Sequence, residues 1–181
     1  TIGGTAGDGL TPLDIVKFTS AFGTWALKRS GKKKIVVGRD ARISGLMVNN
    51  LVIGTLQGLG IDVVDVGLST TPTVEVAVPG EQAAGGIILT ASHNPKQWNA
   101  LKLLNDKGEF ISDADGKEVL EIAENSDFTY ADVNDLGKVI NDNSYLKKHI
   151  DQVLALPLVD VAAIKKADFN IVIDCVNSTG G

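Results

Sequence analysis

The chain contains three short apolar runs separated by helical stretches, and this repetition constrains the fold more than any other feature. The runs are Ile35-Val36-Val37, Ile61 to Val66, and Gly85 to Thr90. Their apolar residues do not alternate regularly with polar ones, which is typical of strands covered on both faces of a parallel sheet. The sequence therefore predicts an α/β fold with three layers, α/β/α, around a mostly parallel (mixed) sheet.

Segments outside these runs give further local predictions. Residues 3–9 contain four glycines and are predicted to form a loop. Ser44 is predicted to be the N-cap of the helix that follows it. Residues 126–142 are polar and are predicted to be irregular. Asn143-Ser144 is predicted to open another helix, with an apolar face formed by Tyr145, Leu146, Ile150, Val153 and Leu154.

The last part of the chain is predicted to begin a second domain. Phe169 to Val176 is another apolar run, predicted to be a strand with Cys175 buried as a structural thiol. A glycine-containing turn follows it, as at the start of a second α/β unit. We therefore expect residues 1–155 to form one domain, and residues 156–181 to form a linker and the truncated start of the next.

Composition excludes several classes of partner. The net charge is −5, whereas nucleic acids and anionic membrane surfaces require a basic protein face. No apolar run approaches the roughly 18 residues of a membrane span, and a single cysteine cannot form an internal disulfide. These features predict a cytoplasmic protein without nucleic-acid or membrane partners. They make no prediction of oligomeric state.

Three loops follow the predicted strands and would meet at one edge of the sheet. They are Gly38 to Arg42, Gly67 to Pro72, and Thr90 to Asn99, which we call the Ser92 loop. In open α/β sheets, ligands bind beyond the carboxyl ends of the strands. A binding site formed by these loops is therefore predicted.

Polar residues of the Ser92 loop suggest phosphoryl transfer. Ser92 is followed by His93 and Asn94, and a phosphate on its hydroxyl could be neutralised or bound by these residues, by Arg39 and by Lys102. Phosphoryl transfer depends mostly on positioning and charge stabilisation, together with a group that exchanges a proton. Lys102, on the strand that returns from the loop, is the candidate for that group.

Each of these residues also has a simpler interpretation. The loop could be a capped turn, Arg39 could pair with Asp40, and Lys102 could be an outward-facing strand residue. His149 is expected to be a solvated residue of an amphipathic helix. At the level of function, the alternatives are a non-catalytic module that binds an anion and a serine hydrolase. The hydrolase is disfavoured because no suitable partner histidine and carboxylate for Ser92 can be identified.

Several motifs in order resemble one enzyme family. The run Thr90-Ala91-Ser92-His93-Asn94-Pro95, followed by Asn99 and Lys102, resembles the phosphoserine signature of the α-D-phosphohexomutases. This family comprises phosphoglucomutase, phosphomannomutase and phosphoglucosamine mutase. The segments 38–42 and 65–72 also resemble its first domain, and residues 173–181 resemble the start of its second domain.

The resemblance implies a role for each candidate residue. Ser92 would carry a phosphate that passes to and from a hexose or hexosamine phosphate through a 1,6-bisphosphate. Lys102 would be the acid/base and His93 would assist at the serine, both being counted as catalytic. A supporting group would comprise Arg39, Asn94 and Asn99. One Mg²⁺ would bind the Ser92 phosphate, with its remaining ligands outside this chain.

The chain also departs from the family pattern. The family's glycine-arginine motif is expected just before Thr1 and is absent, and Ala100 replaces the glycine usual after the loop asparagine. The loops that select the sugar would lie beyond Gly181. The form of the Ser92 loop favours a phosphoglucosamine mutase, with phosphoglucomutase or phosphomannomutase as alternatives. The chain alone is expected to be inactive as a mutase.

Overall fold

The computed structural model describes residues 1–180, with Ala6 described by its backbone alone. The strands are β1 Ile2–Ala6, β2 Gly9–Leu10, β3 Lys34–Arg39, β4 Asp62–Leu68, β5 Gly85–Leu89, β6 Trp98–Leu104 and β7 Val139–Asn141. The helices are α1 Pro12–Ser30, α2 Gly45–Gly58, α3 Thr71–Gly80, α4 Asp113–Asn125, α5 Tyr145–Leu154 and α6 Val161–Lys166, with a short 3-10 turn at Val133–Asp135. Among the helices of these 180 residues, none has the length and apolar character required to cross a membrane.

Seven strands form one mixed sheet in the order β2-β1-β6-β5-β3-β4-β7. The centre is parallel, since β3 pairs in parallel with both β4 and β5. Strand β6 is antiparallel to β5 and to β1. The predicted mixed α/β sheet is therefore confirmed.

Alternate residues of the central strands face two different cores. Ile35 and Val37 of β3 pack in a cluster with residues of α1, α2 and α4, such as Phe22, which is fully buried. Val36, between them in sequence, packs on the opposite face of the sheet with residues of α3 and with Tyr145 of α5. Because both faces are covered, the strands are apolar at successive positions, and the predicted three-layer arrangement is confirmed.

The prediction of a loop over residues 3–9 is wrong for the first part of that segment. Residues 2–6 form β1, which pairs with β6 and places Gly3 opposite Ala100. A Cβ on Gly3 would lie 2.7 Å from the Cβ of Ala100, and one on Gly4 would lie 2.6 Å from the carbonyl carbon of Gly9. These glycines are therefore explained by close approach of neighbouring strands as well as by turn formation.

Two predictions in the second half of the chain are also corrected. Residues 139–141, predicted to be irregular, form β7 and pair in parallel with β4. The predicted strand Phe169–Val176 is absent from the described structure, where Val172 is 99% exposed. A strand needs a hydrogen-bonded neighbour, and no described strand pairs with this run. Cys175 is consequently only partly buried, with its thiol donating to the carbonyl of Gly180.

A partly buried hydrogen bond joins α5 to the end of α3. The hydroxyl of Tyr145 donates to Glu81 over 2.7 Å, and Lys34 forms an ion pair with the same carboxylate. The bond from Tyr145, followed by the contacts with Lys34, lowers the pKa of Glu81. Burial, followed by the bond to Glu81, raises the pKa of Tyr145. Both shifts favour a charged Glu81 beside a neutral Tyr145 in the folded chain.

This pair predicts a pH-dependent stability. Because the pKa of Glu81 is lower when folded, its stabilising contribution is present above its ordinary value of 4.5 and is lost as the pH falls below that value. We expect Tyr145→Phe to lower the free energy of unfolding by about 1–2 kcal/mol at pH 7. The difference from wild type should shrink below pH 4.5. Urea unfolding from pH 3 to pH 8 would measure it, and a difference that does not change with pH would contradict this account.

The same pair makes an alkaline prediction. Tyr145 has a raised pKa in the folded chain, so its contribution is present below the ordinary value of 10.0 and is lost as the pH rises above it. Tyr145→Phe should remove this part of the alkaline destabilisation, which the same unfolding series would detect when extended above pH 10.0.

Candidate active site

The three loops predicted to form a site lie together at the carboxyl edge of the sheet. Strands β5, β3 and β4 are parallel neighbours, so their following loops project from the same edge. Backbone bonds connect these loops, with the amide of Asp40 donating to Leu89 and that of Ser69 donating to Arg39. The site therefore rests on the most buried strands of the sheet.

Ser92 and Lys102 are in direct contact. Lys102 Nζ donates to Ser92 Oγ over 2.7 Å. The antiparallel pairing of β5 with β6 places Lys102 opposite Ile88, so the lysine side chain lies beside the loop that connects these two strands. The serine is exposed, so its hydroxyl is accessible to a substrate.

The backbone of Ser92 has an uncommon conformation. Its φ is +52°, in the left-handed region that costs a non-glycine residue about 1 kcal/mol. Such strain occurs often at functional sites, where surrounding contacts maintain it. Here the amide of Ser92 donates to Thr90 Oγ1 over 3.1 Å.

Asp40 connects the Ser92 loop to the end of β3. Its carboxylate accepts a 2.7 Å hydrogen bond from the Thr90 hydroxyl and forms an ion pair of 3.1 Å with Arg42. The side chains of Asp40 and Arg42 are 17% and 11% exposed, so this ion pair is largely shielded from water. Asp40 thus holds both the side chain of Thr90, the first residue of the loop, and the side chain of Arg42.

Arg42 contacts the loop more extensively than any residue predicted from the sequence. Its guanidinium donates to four main-chain carbonyls of the loop at 2.7–3.0 Å, those of Ser92, Asn94, Pro95 and Trp98. Arg42 lies in the turn predicted after β3, in which Arg39 was the predicted functional residue. The spacing from Asp40 is a usable signal. The carboxylate of an aspartate can accept hydrogen bonds from both the backbone amide and the side chain of the residue two positions later.

Arg39 lies apart from the Ser92 hydroxyl. Its guanidinium donates to the carbonyl of Asp40 over 3.2 Å, and its aliphatic part lies near Gly45. The alternative of an Arg39–Asp40 ion pair is also not what the structure shows, since Asp40 pairs with Arg42.

Asn94 and His93 are both exposed residues of the loop. The amide of Asn94 donates to Ala91 within the loop. The ring of His93 makes no hydrogen bond within residues 1–180. Neither side chain touches Ser92 Oγ by a hydrogen bond in this part of the chain.

Asn99 fixes the return end of the loop. It is 1% exposed, and its side-chain amide donates to Ser44 Oγ over 3.0 Å. Ser44 is the N-cap residue of α2, as predicted, but its hydroxyl accepts from Asn99 and makes no capping bond. Thus the segment before α2 holds the loop at Asn99 as well as through Arg42.

A cavity of about 310 Å³ lies beside Ser92. Most of its lining residues carry hydroxyl groups, and they come from the three loops, from the start of α3 and from the end of the described chain. They are Asp40, Ser69, Thr70, Thr71, Pro72, Ile88, Thr90, Ser92, Ser178 and Thr179. Such a lining can donate to and accept from a polar ligand such as a sugar or a phosphate.

His149 is connected to this cavity, whereas the sequence analysis placed it in solvent. It is half-buried, and its Nδ1 lies 3.0 Å from the hydroxyl of Thr73. That hydroxyl lies 2.8 Å from the hydroxyl of Thr70, which lines the cavity. The prediction of a solvated histidine is therefore wrong, because α5 packs against α3.

The described residues do not supply a metal site by themselves. Within residues 1–180, no group of three or more His, Cys, Asp or Glu side chains is arranged to hold an ion. Asp40, a carboxylate that lines the cavity together with Ser92, already accepts bonds from Arg42 and Thr90. A cation at Ser92 would need most of its ligands from other residues.

Comparison with known proteins identifies the family. Residues 2–130 match the family described as phosphoglucomutase/phosphomannomutase, alpha/beta/alpha domain I. The chain belongs to this family. The predicted resemblance to the N-terminal domain of the α-D-phosphohexomutases is thus confirmed, and the matched region contains the whole Ser92 loop and Lys102.

Curated relatives and a solved structure agree with this result. The chain is 37% identical over 179 residues to a phosphoglucomutase/phosphomannomutase of Thermococcus kodakarensis, covering 98% of the chain and 38% of that protein. It is 33% identical over 172 residues to a phosphoglucosamine/phosphogalactosamine mutase of Sulfurisphaera tokodaii, covering 94% of the chain and 37% of that protein. The chain therefore spans less than two fifths of the length of these relatives.

The fold is shared with a crystal structure of a phosphoglucomutase/phosphomannomutase family protein from Burkholderia thailandensis. The TM-score is 0.72 at 23% identity, over 84% of this chain and 33% of the other. At this identity the likeness concerns the architecture.

Proposed function

We propose that this chain is the phosphoserine-bearing part of a phosphohexomutase, which moves phosphate between the 1- and 6-positions of a hexose or hexosamine. The observation that carries the proposal is the 2.7 Å contact between Lys102 Nζ and Ser92 Oγ at an exposed, left-handed serine. Family membership supports the same chemistry. In this proposal residues 1–155 form the first domain of the mutase, and residues 156–181 form a linker and the start of the second.

The two residues have complementary roles in the proposed transfer. In the transfer onto Ser92, Oγ attacks a phosphorus atom of the sugar 1,6-bisphosphate and the bond from that phosphorus to the sugar oxygen breaks. Lys102 Nζ takes the proton from Oγ and gives one to the departing sugar oxygen, which leaves as a hydroxyl. In the reverse transfer, a sugar hydroxyl attacks the phosphorus and the P–Oγ bond breaks, while Lys102 Nζ takes the proton of that hydroxyl and gives one to Oγ. A single group within hydrogen-bond distance of Oγ can perform both proton transfers.

The supporting residues act on this pair in different ways. Asn99 fixes the return of the chain towards Lys102, and Arg39 supports the backbone at Asp40, at the start of the turn. His93 and Asn94, both exposed in the loop, are proposed to contact the phosphate once it is present. Mg²⁺, when bound, would neutralise charge on that phosphate, with the Ser92 phosphate as one ligand and the others from outside this chain.

For the sugar, we propose a hexosamine phosphate, with glucosamine as the first choice. The form of the Ser92 loop favours this choice, and one relative at 33% identity is named for glucosamine and galactosamine phosphates. Glucose or mannose phosphates are the alternative, since another relative at 37% identity is named for them. Turnover of the longer protein with each sugar phosphate would decide between these substrates.

The proposal predicts a phosphate on Ser92. In a longer protein that carries this chain, intact mass spectrometry should show a mass increase of one phosphate, and Ser92→Ala should remove both this mass and the mutase activity. Ser30→Ala, at the far end of α1, is the matched control and should change neither. The 181-residue chain by itself should not interconvert hexose 1- and 6-phosphates.

Two other results would contradict phosphoryl transfer at Ser92. If Ser92 is unmodified and Ser92→Ala keeps full activity, the proposal fails. A protein that binds hexose phosphate but transfers no phosphate to Ser92 would indicate the non-catalytic phosphate-binding module.

A further inference from the structure

We propose that Arg42 is a positioning residue that holds Ser92 in the conformation from which phosphate is transferred, an inference that rests on the function proposed above. Arg42 does not touch the Ser92 hydroxyl. It binds the backbone of the loop and thereby determines the position of Ser92 Oγ relative to Lys102.

All five N–H donors of the Arg42 side chain are engaged. Nε donates to Asp40 Oδ2 at 3.1 Å, Nη1 donates to the carbonyls of Pro95 and Trp98, and Nη2 donates to those of Ser92 and Asn94. A guanidinium carries five donors in a fixed planar arrangement, whereas a lysine ammonium carries three around one atom. No other side-chain type could make this set of bonds.

The loop depends on these bonds because little else holds it. Residues 92–98 are all exposed, so apolar burial contributes little to their order. Their backbone bonds within the loop are from Asn94 to Ala91 and from Trp98 to Pro95. A strained, exposed turn without further contacts would populate other conformations.

Both peptide groups of Ser92 are connected to one carboxylate. The Ser92 amide donates to Thr90 Oγ1, and the Ser92 carbonyl accepts from Arg42 Nη2. Thr90 and Arg42 each donate to Asp40 Oδ2. Asp40 and Arg42 also share a backbone contact, in which the amide of Arg42 donates to Asp40 Oδ1 over 3.0 Å. Asp40 and Arg42, which follow β3 in the sequence, thus fix the Ser92 backbone through both its amide and its carbonyl.

The first test measures the order of the loop in the 181-residue chain. In Arg42→Ala, hydrogen exchange at the amides of Asn94 and Trp98 should accelerate by at least about tenfold, while exchange in β3 and β5 stays slow. Arg42→Lys should give an intermediate acceleration because it retains only some of the donors. Arg29→Ala removes an arginine that is paired with Asp115 and serves as the control; it should leave the loop amides unchanged.

The second test measures transfer in the longer protein. A misplacement of about 1 Å can reduce turnover by about 10²-fold, so Arg42→Ala should lower kcat on this order with little change in KM. Arg42→Lys should recover part of kcat, and Arg29→Ala should retain it. A loss confined to KM would overturn the positioning role.

The two tests separate this inference from the proposed function. If wild-type Ser92 accepts no phosphate from a hexose 1,6-bisphosphate, the proposed function fails, and hydrogen exchange still decides whether Arg42 orders the loop. If wild type transfers phosphate and Arg42→Ala keeps both slow loop exchange and full kcat, the role of Arg42 is refuted while the function stands.

Discussion

Replacing Lys102 by methionine is expected to lower phosphoryl transfer at Ser92 by about 10²–10⁴-fold, the usual contribution of a positioned acid/base group. Methionine retains a long flexible side chain but removes the nitrogen that lies 2.7 Å from Ser92 Oγ. The fold should tolerate the change because Lys102 is only half-buried. The measurement is the single-turnover rate of Ser92 phosphorylation by a hexose 1,6-bisphosphate in the longer protein.

A second variant separates proton transfer from electrostatic attraction. Lys102→Arg keeps the positive charge but cannot readily release a proton, because a guanidinium stays protonated in proteins. It should therefore transfer phosphate nearly as slowly as Lys102→Met. The matched control is Lys33→Met at an exposed position beside β3, which should keep the wild-type rate. Wild-type transfer in Lys102→Arg would show that Lys102 supplies charge alone.

A methyl group added at Gly85 is expected to lower the free energy of unfolding by about 3 kcal/mol. Its Cβ would lie 2.5 Å from the carbonyl oxygen of Leu104 and 3.1 Å from the ring of Phe22. The first contact is with the backbone of β6, so a change of side-chain rotamer cannot relieve it. The strands β5 and β6, which flank the Ser92 loop and of which β6 contains Lys102, would have to separate locally.

Thermal unfolding of Gly85→Ala checks this expectation in the 181-residue chain. Unfolding should occur about 6–12 °C below wild type for a domain of this size. Gly54→Ala is the matched control, because Gly54 is exposed in α2 and a Cβ there would meet no atom within 4 Å. That control should stabilise the chain by about 0.5–1 kcal/mol through helix propensity. Equal effects of the two variants would contradict the steric explanation.

The central strands of the sheet could be predicted because burial on both faces alone accounts for their apolar sequences. Strand β5 and the central residues of β3 are buried on both faces and are apolar, so hydrophobicity alone identifies them. Strand β1 could not be predicted in this way. Its glycines are determined by the backbone of β6 and β2, which lie beside it only in the folded chain.

In the candidate site, too, some residues could be predicted from the sequence and others could not. Ser92 and Lys102 could be selected because their residue types suggest chemistry and because a strand returns from the loop. The spacing from Asp40 could indicate the pairing of Arg42 with that residue, but not its contacts with the Ser92 loop, because those are with main-chain carbonyls and every residue has one. Ser44 stands at the predicted N-cap position, but the partner of its hydroxyl could not be derived, for a related reason. A serine before a helix usually caps it, but here Asn99 donates to its hydroxyl.

The attachment of the Ser92 loop to residues 39–44 has a consequence for protein engineering. Transplanting residues 90–102 alone into another sheet would carry the nucleophile and the lysine but leave the loop without its guanidinium and without the acceptor for Asn99. The smallest transferable unit is therefore two segments from adjacent parallel strands, and a host must supply both at the spacing that β3 and β5 have here.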